Sequence, residues 1–133
     1  GARSGLEAAG PVVLLADDRL EILALHSSYL HDHGYAVLTA GDGETALEYA
    51  RSHRPAVIVL DQSMPGLTGT EVARALKRDP ATAEIPILMM TAHSYGAVGR
   101  AARAAGCELF LPKPVEPSRM LREVAARAAP FGR

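Results

Sequence analysis

The chain has 133 residues, enough for one domain that buries a sizeable core without a disulfide or a structural metal. Its 14 Lys and Arg residues nearly balance its 15 Asp and Glu residues, for a formal net charge of -1, and no basic run points to direct nucleic-acid binding. The single cysteine, Cys107, excludes an intramolecular disulfide and the apolar segments are too short to span a membrane, so we expect a domain of the reducing cytoplasm.

The domain is expected to cover residues 11–129. Small residues dominate positions 1–10, which are expected to form a flexible N-terminal tail, and 130–133 are expected to form a short C-terminal tail. We expect no DNA-binding or enzymatic output domain in the four residues 130–133. We therefore expect either a free-standing domain or one excised from a longer protein.

Strand and helix patterns alternate five times along the chain. Each short run rich in Val, Ile and Leu predicts a strand buried on both faces of a sheet. Helices are predicted between the runs from apolar residues at helical spacing, from a capping-box pattern at Thr68–Glu71 and from Pro117 at the start of the last helix. The helix predicted over 97–105 is the weakest and is expected to be mobile, because Gly96 and Gly99 lower its propensity. The predicted strands are 12–16, 35–40, 56–60, 85–90 and 107–111.

This alternation predicts right-handed βαβ crossovers and a parallel sheet covered by helices on both faces. The expected fold class is α/β, a flavodoxin-like (βα)5 doubly wound domain whose five strands follow the order 2-1-3-4-5. In that order the carboxyl ends of strands 1 and 3 border one crevice. In the first helix, apolar or small residues recur at helical spacing at Leu20, Leu23, Ser27 and Leu30.

Acidic residues follow two of the predicted strands at the point where each strand ends. Asp17 and Asp18 follow the run 12–16, and Asp61 follows the run 56–60. If these strands are neighbours, three carboxylates converge, and their repulsion calls for a proton or a cation. A hard cation with oxygen ligands, such as magnesium, is the natural occupant.

Two further groups reach the same edge of the predicted sheet. Thr91 ends the fourth strand, and Lys113 follows the fifth. Together with the carboxylates they supply what phosphoryl transfer needs: a metal cradle, a nucleophile, a hydrogen-bond partner and a cation for the phosphoryl oxygens.

On these residues the chain resembles the receiver domain of two-component response regulators. The resemblance covers about residues 11–129 and includes the segment Asp61–Gly69, which reads Asp-Gln-Ser-Met-Pro-Gly-Leu-Thr-Gly. The other matching positions, in order and at appropriate spacing, are Asp17-Asp18, Thr91-Ala92 and Lys113-Pro114.

The resemblance implies a reaction and a metal site. Asp61 would accept a phosphoryl group from the phosphohistidine of a sensor histidine kinase or a histidine phosphotransfer protein. Asp18, Asp61 and the backbone carbonyl of Ser63 would bind Mg2+, with Asp17 helping through water. Lys113 would hold the phosphoryl oxygens. The domain would then be a switch that catalyses only its own phosphorylation and dephosphorylation, not an enzyme for metabolites.

The resemblance also implies how the signal leaves the site. Thr91 would move toward the phosphoryl group, and Phe110, in the place of the family's usual Tyr, would turn inward. Ser63 and His93 correspond to variable positions that tune the lifetime of the phosphoaspartate, and the Lys113–Pro114 peptide bond is expected to be cis. The helix at 97–105, the fifth strand and the last helix would form the output face, and a phosphorylation-dependent dimer through this face is a further expectation.

Simpler interpretations stand beside these hypotheses. Asp17 or Asp18 could cap the first helix, and Phe110 could be static core packing. His93 is a poor magnesium ligand. The remaining histidines show no zinc-like spacing and are expected on solvated helix faces, whereas Cys107 and the two adjacent methionines are expected to pack in the core. These histidines are His26, His31, His33 and His53, and the methionines are Met89 and Met90.

Two other functions share some of these residues. A haloacid dehalogenase-like aspartyl phosphatase also uses Asp, Thr, Lys and magnesium, but that family has its nucleophile after strand 1 with a second Asp two residues later, where this chain has Arg19. A receiver-like scaffold that no longer takes phosphate is the other alternative, and the complete site argues against it. The cognate kinase and the downstream effector stay open.

Overall fold

The computed structural model describes residues 10–128, so the predicted tails lie outside the described residues apart from Gly10. Strands and helices alternate through this range as predicted. The strands are β1 (Val12–Ala16), β2 (Ala36–Ala40), β3 (Val57–Asp61), β4 (Ile87–Thr91) and β5 (Leu109–Pro112). The helices are α1 (Leu20–Asp32), α2 (Gly43–His53), α3 (Gly69–Arg78), α4 (Gly96–Ala104) and α5 (Pro117–Arg127).

The strands form one parallel sheet in the order β2-β1-β3-β4-β5. The α/β fold class and the strand order predicted from the sequence are therefore confirmed. Residues of β3 and β4 are fully buried, as expected for central strands covered on both faces. No helix among residues 10–128 is long and apolar enough to cross a membrane.

Helices cover the two faces of the sheet unequally. Buried residues of α1 and α5 pack on one face, and buried residues of α2, α3 and α4 pack on the other. Cys107, Met89 and Met90 are buried, as expected. The two faces together form a core that fixes the ends of β1 and β3 side by side.

The buried face of α1 differs from the prediction. Leu23 and Leu30 are buried, but Leu20 is the first residue of the helix and is 75% exposed. His26 fills the position between the two leucines and is only 3% exposed, so the expectation of a solvated side chain there is wrong. Its spacing, three residues after Leu23 and four before Leu30, places it on the apolar stripe in spite of its polarity. The histidines His31, His33 and His53 are exposed.

The fifth strand begins two residues later than predicted. Gly106 has a φ of 107° and its amide donates to the carbonyl of Arg103, while the Cys107 amide donates to the carbonyl of Ala102. These bonds belong to the C-terminal turn of α4. The Cys107 amide is therefore bonded to the helix, and β5 starts only at Leu109.

Candidate functional site

Three carboxylates meet at the carboxyl edge of the sheet. Asp17 and Asp18 follow the last residue of β1, and Asp61 is the last residue of the neighbouring β3. One carboxylate oxygen from each lies within 4.8 Å of the others. Asp17 and Asp61 are each 1% exposed, whereas Asp18 is exposed. The convergence predicted from the sequence is therefore present, with two buried carboxylates behind one that faces solvent.

Burial makes Asp17 hard to ionise. Burial is the largest cause, and together with the nearby Asp61 charge and side chain it raises the pKa of the Asp17 carboxyl from 3.8 to about 6. Two contacts act in the opposite direction: the Arg19 amide donates to Oδ1 of Asp17 at 2.9 Å, and Lys113 contributes a positive charge. This carboxyl therefore keeps its proton to a higher pH than an exposed aspartate does.

The two oxygens of Asp61 have different surroundings. Oδ1 forms an ion pair with Nζ of Lys113 at 2.6 Å and accepts a hydrogen bond from the backbone amide of Ser63 at 3.1 Å. Oδ2 is buried and has no hydrogen-bond partner among the described residues. Since buried polar atoms are normally paired, an orphaned carboxylate oxygen beside two other acids is suited to a cation or to an incoming electrophile.

Lys113 reaches this position from the loop after β5. Its amide donates to the carbonyl of Thr91, and the Lys113–Pro114 peptide bond is cis, as the resemblance implies. The side chain then lies across the end of the sheet, from the edge strand to the central β3.

Thr91 ends β4 and is 4% exposed. Its hydroxyl donates to the carbonyl of His93 at 3.2 Å and accepts from the His93 amide at 3.0 Å. The hydroxyl is therefore engaged with its own loop. An open cleft of about 580 Å³ lies between this loop and the loop after β3, and its walls include Asp18, Gln62, Ser63, Thr91, His93 and Lys113.

Phe110 lies apart from the cleft, half-buried on β5 against the core under α4. The guanidinium carbon of Arg103 lies 5.2 Å from the centre of its ring, within the range of a cation–π contact. The predicted inward movement of Phe110 stays a prediction.

Sequence reasoning missed three residues near the site. Gln62 connects the end of β3 to the start of α3, and Arg103 covers Phe110. His26 is buried, and its Nδ1 has no hydrogen-bond partner in the described part of the chain. The only sequence signal for Gln62 was its position directly after Asp61. The signal for His26 was the spacing of the apolar residues in α1. The contact of Arg103 joins a helix to a strand and has no local signature.

The fold and the acidic edge together define a doubly wound α/β domain with three carboxylates at the carboxyl edge of its sheet, and comparison with known proteins specifies the family. The profile of the response regulator receiver domain matches residues 13–125. The polar-differentiation response regulator DivK of Brucella anthropi is 30% identical over 112 residues, which cover 84% of this chain and 91% of DivK. The chain belongs to the response regulator receiver domain family of two-component signalling. The comparisons favour neither alternative function.

Solved structures agree with this assignment. The chemotaxis protein CheY4 of Vibrio cholerae has a TM-score of 0.83 and 34% identity, covering 90% of this chain and 99% of CheY4. The receiver domain of the sensor histidine kinase PA1611 of Pseudomonas aeruginosa has a TM-score of 0.82 and 25% identity, covering 90% of this chain and 98% of that one. That structure has a magnesium ion coordinated in its active-site cleft. Some curated relatives are longer than this chain, which spans 45% of one and 23% of another.

Proposed function

We propose that this domain accepts a phosphoryl group on Asp61 in a Mg2+-dependent reaction and changes conformation in response. The observation that carries the proposal is the unequal environment of the two Asp61 oxygens. Lys113 and the Ser63 amide hold Oδ1, whereas Oδ2 is buried and accepts no hydrogen bond from any residue between 10 and 128. One oxygen is therefore oriented by the protein while the other keeps its lone pairs for a new bond.

The donor is a phosphohistidine of a sensor histidine kinase or a histidine phosphotransfer protein, since these phosphorylate receiver domains. A lone pair of Asp61 forms the O–P bond as the P–N bond breaks. The imidazole leaves with the bonding electrons and takes up a proton. Dephosphorylation is a hydrolysis. Water attacks phosphorus, the O–P bond breaks, and the Asp61 carboxylate and inorganic phosphate are released. The site is thus proposed to catalyse only its own phosphorylation and dephosphorylation, in the cytoplasm.

The residues present fit a magnesium ion. Asp18, Asp61 and the Ser63 carbonyl would hold it and Asp17 would contact it through water, a set of hard oxygen ligands that includes two buried carboxylates. When bound, the ion neutralises the repulsion between these carboxylates and an anionic phosphoryl group. Lys113 is placed to keep the phosphoryl oxygens beside Asp61, because its ammonium already lies against that carboxylate.

Thr91 and Phe110 are proposed to transmit the change. The Thr91 hydroxyl has one proton, so it can donate to a phosphoryl oxygen only by giving up its bond to the His93 carbonyl. That exchange would reorganise the loop between β4 and α4 and allow Phe110 to turn inward. Ser63 and His93 are exposed beside the cleft, where they are proposed to adjust access of water to the phosphoaspartate.

The test is phosphorylation by acetyl phosphate, followed by intact-mass spectrometry and peptide mapping. We expect one added phosphoryl group on Asp61 with Mg2+ and none in excess chelator. Asp61→Asn should not be labelled, while the matched substitution Asp42→Asn, at the start of α2 and outside the cleft, should be labelled like the wild type. Equal labelling in chelator, or labelling of Asp61→Asn at the same level, would contradict the proposal. A chain that is never labelled would favour the scaffold alternative.

A further inference from the structure

The first three backbone amides of α3 find acceptors outside the helix, and Gln62 accepts from two of them. The Gly69 amide donates to the backbone carbonyl of Gln62 at 3.0 Å. The Thr70 amide and the Thr70 hydroxyl both donate to the Gln62 side-chain Oε1, at 2.9 Å and 2.7 Å. The capping box between Thr68 and Glu71 satisfies the next amide. The first amides of a helix have no partner within the helix, so Gln62 supplies from outside what the helix cannot.

These bonds close a loop that carries a proposed metal ligand. Gln62 directly precedes Ser63, whose backbone carbonyl is expected to contact Mg2+, and Thr70 lies beyond the far end of the loop. Thr70 is 5% exposed, so solvent cannot easily replace Oε1 as its acceptor. Gln62 thereby joins the two ends of the loop, through its backbone carbonyl to Gly69 and through its side chain to Thr70.

The start of α3 packs tightly against the end of β3. A Cβ added to Gly69 would lie 2.7 Å from the Asp61 carbonyl oxygen and 2.6 Å from Sδ of Met89. The start of α3 therefore touches the end of the strand that bears the phosphoacceptor. A shift of α3 relative to β3 would be transmitted directly to the loop between them.

We propose that Gln62 is a positioning residue for the metal site, which orients the Ser63 carbonyl by tying the start of α3 to the end of β3. This inference rests on the proposed function, since it concerns the same magnesium ion. Mg2+ requires near-ideal octahedral geometry, so a carbonyl that is free to rotate binds it poorly. Groups that orient ligands without touching the metal commonly change its affinity by about 10- to 100-fold.

The experiment compares Mg2+ dissociation constants, measured by calorimetry, for four variants of the chain. Gln62→Met keeps the side-chain length but removes Oε1, and we expect Mg2+ binding about 10-fold weaker. Thr70→Val removes only the hydroxyl bond and should weaken binding less, whereas Thr70→Ser keeps the hydroxyl and should bind like the wild type. The matched control is Thr82→Val, which removes a buried hydroxyl bond of 2.7 Å to the Leu76 carbonyl at the other end of α3. Thr82→Val should lower stability without changing Mg2+ affinity.

A second readout needs no metal. Hydrogen exchange of the Thr70 amide should be faster in Gln62→Met than in the wild type, while the Glu71 amide, which is capped by Thr68, should keep its protection. Unchanged Mg2+ affinity in Gln62→Met would overturn the proposal. So would a loss of affinity in Thr82→Val as large as that in Gln62→Met, because the effect would then follow stability alone. A wild-type chain that binds Mg2+ but takes no phosphoryl group would contradict the proposed function and not this inference.

Discussion

The ammonium of Lys113 lies 2.6 Å from Oδ1 of Asp61, and this ion pair joins the loop after the edge strand to the end of the central β3. The Asp61 side chain is 1% exposed and that of Lys113 is 28% exposed, so the pair is largely removed from water. Loss of one partner leaves the other as an uncompensated charge.

We expect Lys113→Met to destabilise the metal-free domain by about 2 kcal/mol, because Asp61 then faces Asp17 without a neutralising cation. Urea unfolding in chelator measures this. Asp61→Asn and the double variant complete a thermodynamic cycle, in which the double variant should recover much of the loss. Strictly additive effects would mean that the ion pair contributes little.

Asp17→Asn should stabilise the metal-free domain by about 1 kcal/mol at neutral pH, because it removes a buried charge and keeps an acceptor for the Arg19 amide. The raised pKa of Asp17, about 6, means that the folded state binds this proton more tightly than the unfolded chain. Below the unfolded value of 3.8 the wild type has no penalty, and the penalty grows as pH rises toward 6. The gain from Asp17→Asn should therefore be small at pH 4 and large at pH 7. The exposed Asp18→Asn is the control, and its gain should be smaller.

His26 should give a pH dependence of the opposite sign. Burial lowers the pKa of His26 below its usual 6.5, so the unfolded chain binds protons more readily than the folded one as the solution becomes acidic. Stability due to this residue is then lost as pH falls through that range. His26→Leu should remove this loss and be more stable than the wild type at pH 5, as measured by urea unfolding. A pH profile that His26→Leu leaves unchanged would show that the buried ring accepts a proton without cost.

Arg103→Ala should test whether Phe110 switches. If the ring must leave the guanidinium to turn inward, removal of a cation–π contact worth about 0.5–1 kcal/mol should tighten the binding of beryllofluoride, a phosphoryl mimic, about 2- to 5-fold. Arg100→Ala, one turn earlier on the same exposed helix, should have no such effect. Equal affinities for wild type and Arg103→Ala would favour static packing of Phe110.

Beryllofluoride with Mg2+ should shift amide resonances across residues 92–111, well beyond the groups that touch the ligand. These residues include Tyr95, which is 87% exposed at the start of α4 and is available for a partner. Size-exclusion chromatography of the same samples tests the dimer expected through α4, β5 and α5. Shifts confined to the cleft would contradict the proposed output face.

Much of the site could be predicted because it depends on strand ends. In a parallel sheet, apolar runs predict where strands stop, and an acid after each stop must reach the same edge, which is why Asp17 and Asp61 were predicted together. Contacts that depend on one rotamer could not be predicted. The bond from Thr70 to Gln62 spans eight residues, and the sequence pattern says nothing of which side chain turns toward the other. His26 was expected on a solvated face because its side chain is polar, whereas its spacing from Leu23 and Leu30 places it on the buried face.

The amino ends of the strands form the opposite edge of the sheet, and none of the residues assigned to the site lies there. The loops that lead from helices into strands, at 33–35, 54–56, 79–86 and 105–108, all lie at the amino edge, opposite the cleft. Surface loops of this kind tolerate change better than the elements they connect. The exposed Glu84 in the longest of these loops is therefore a suitable attachment point for a fluorophore or a solid support. A chain immobilised there would present the cleft between the loops after β3 and β4 freely to a protein in solution.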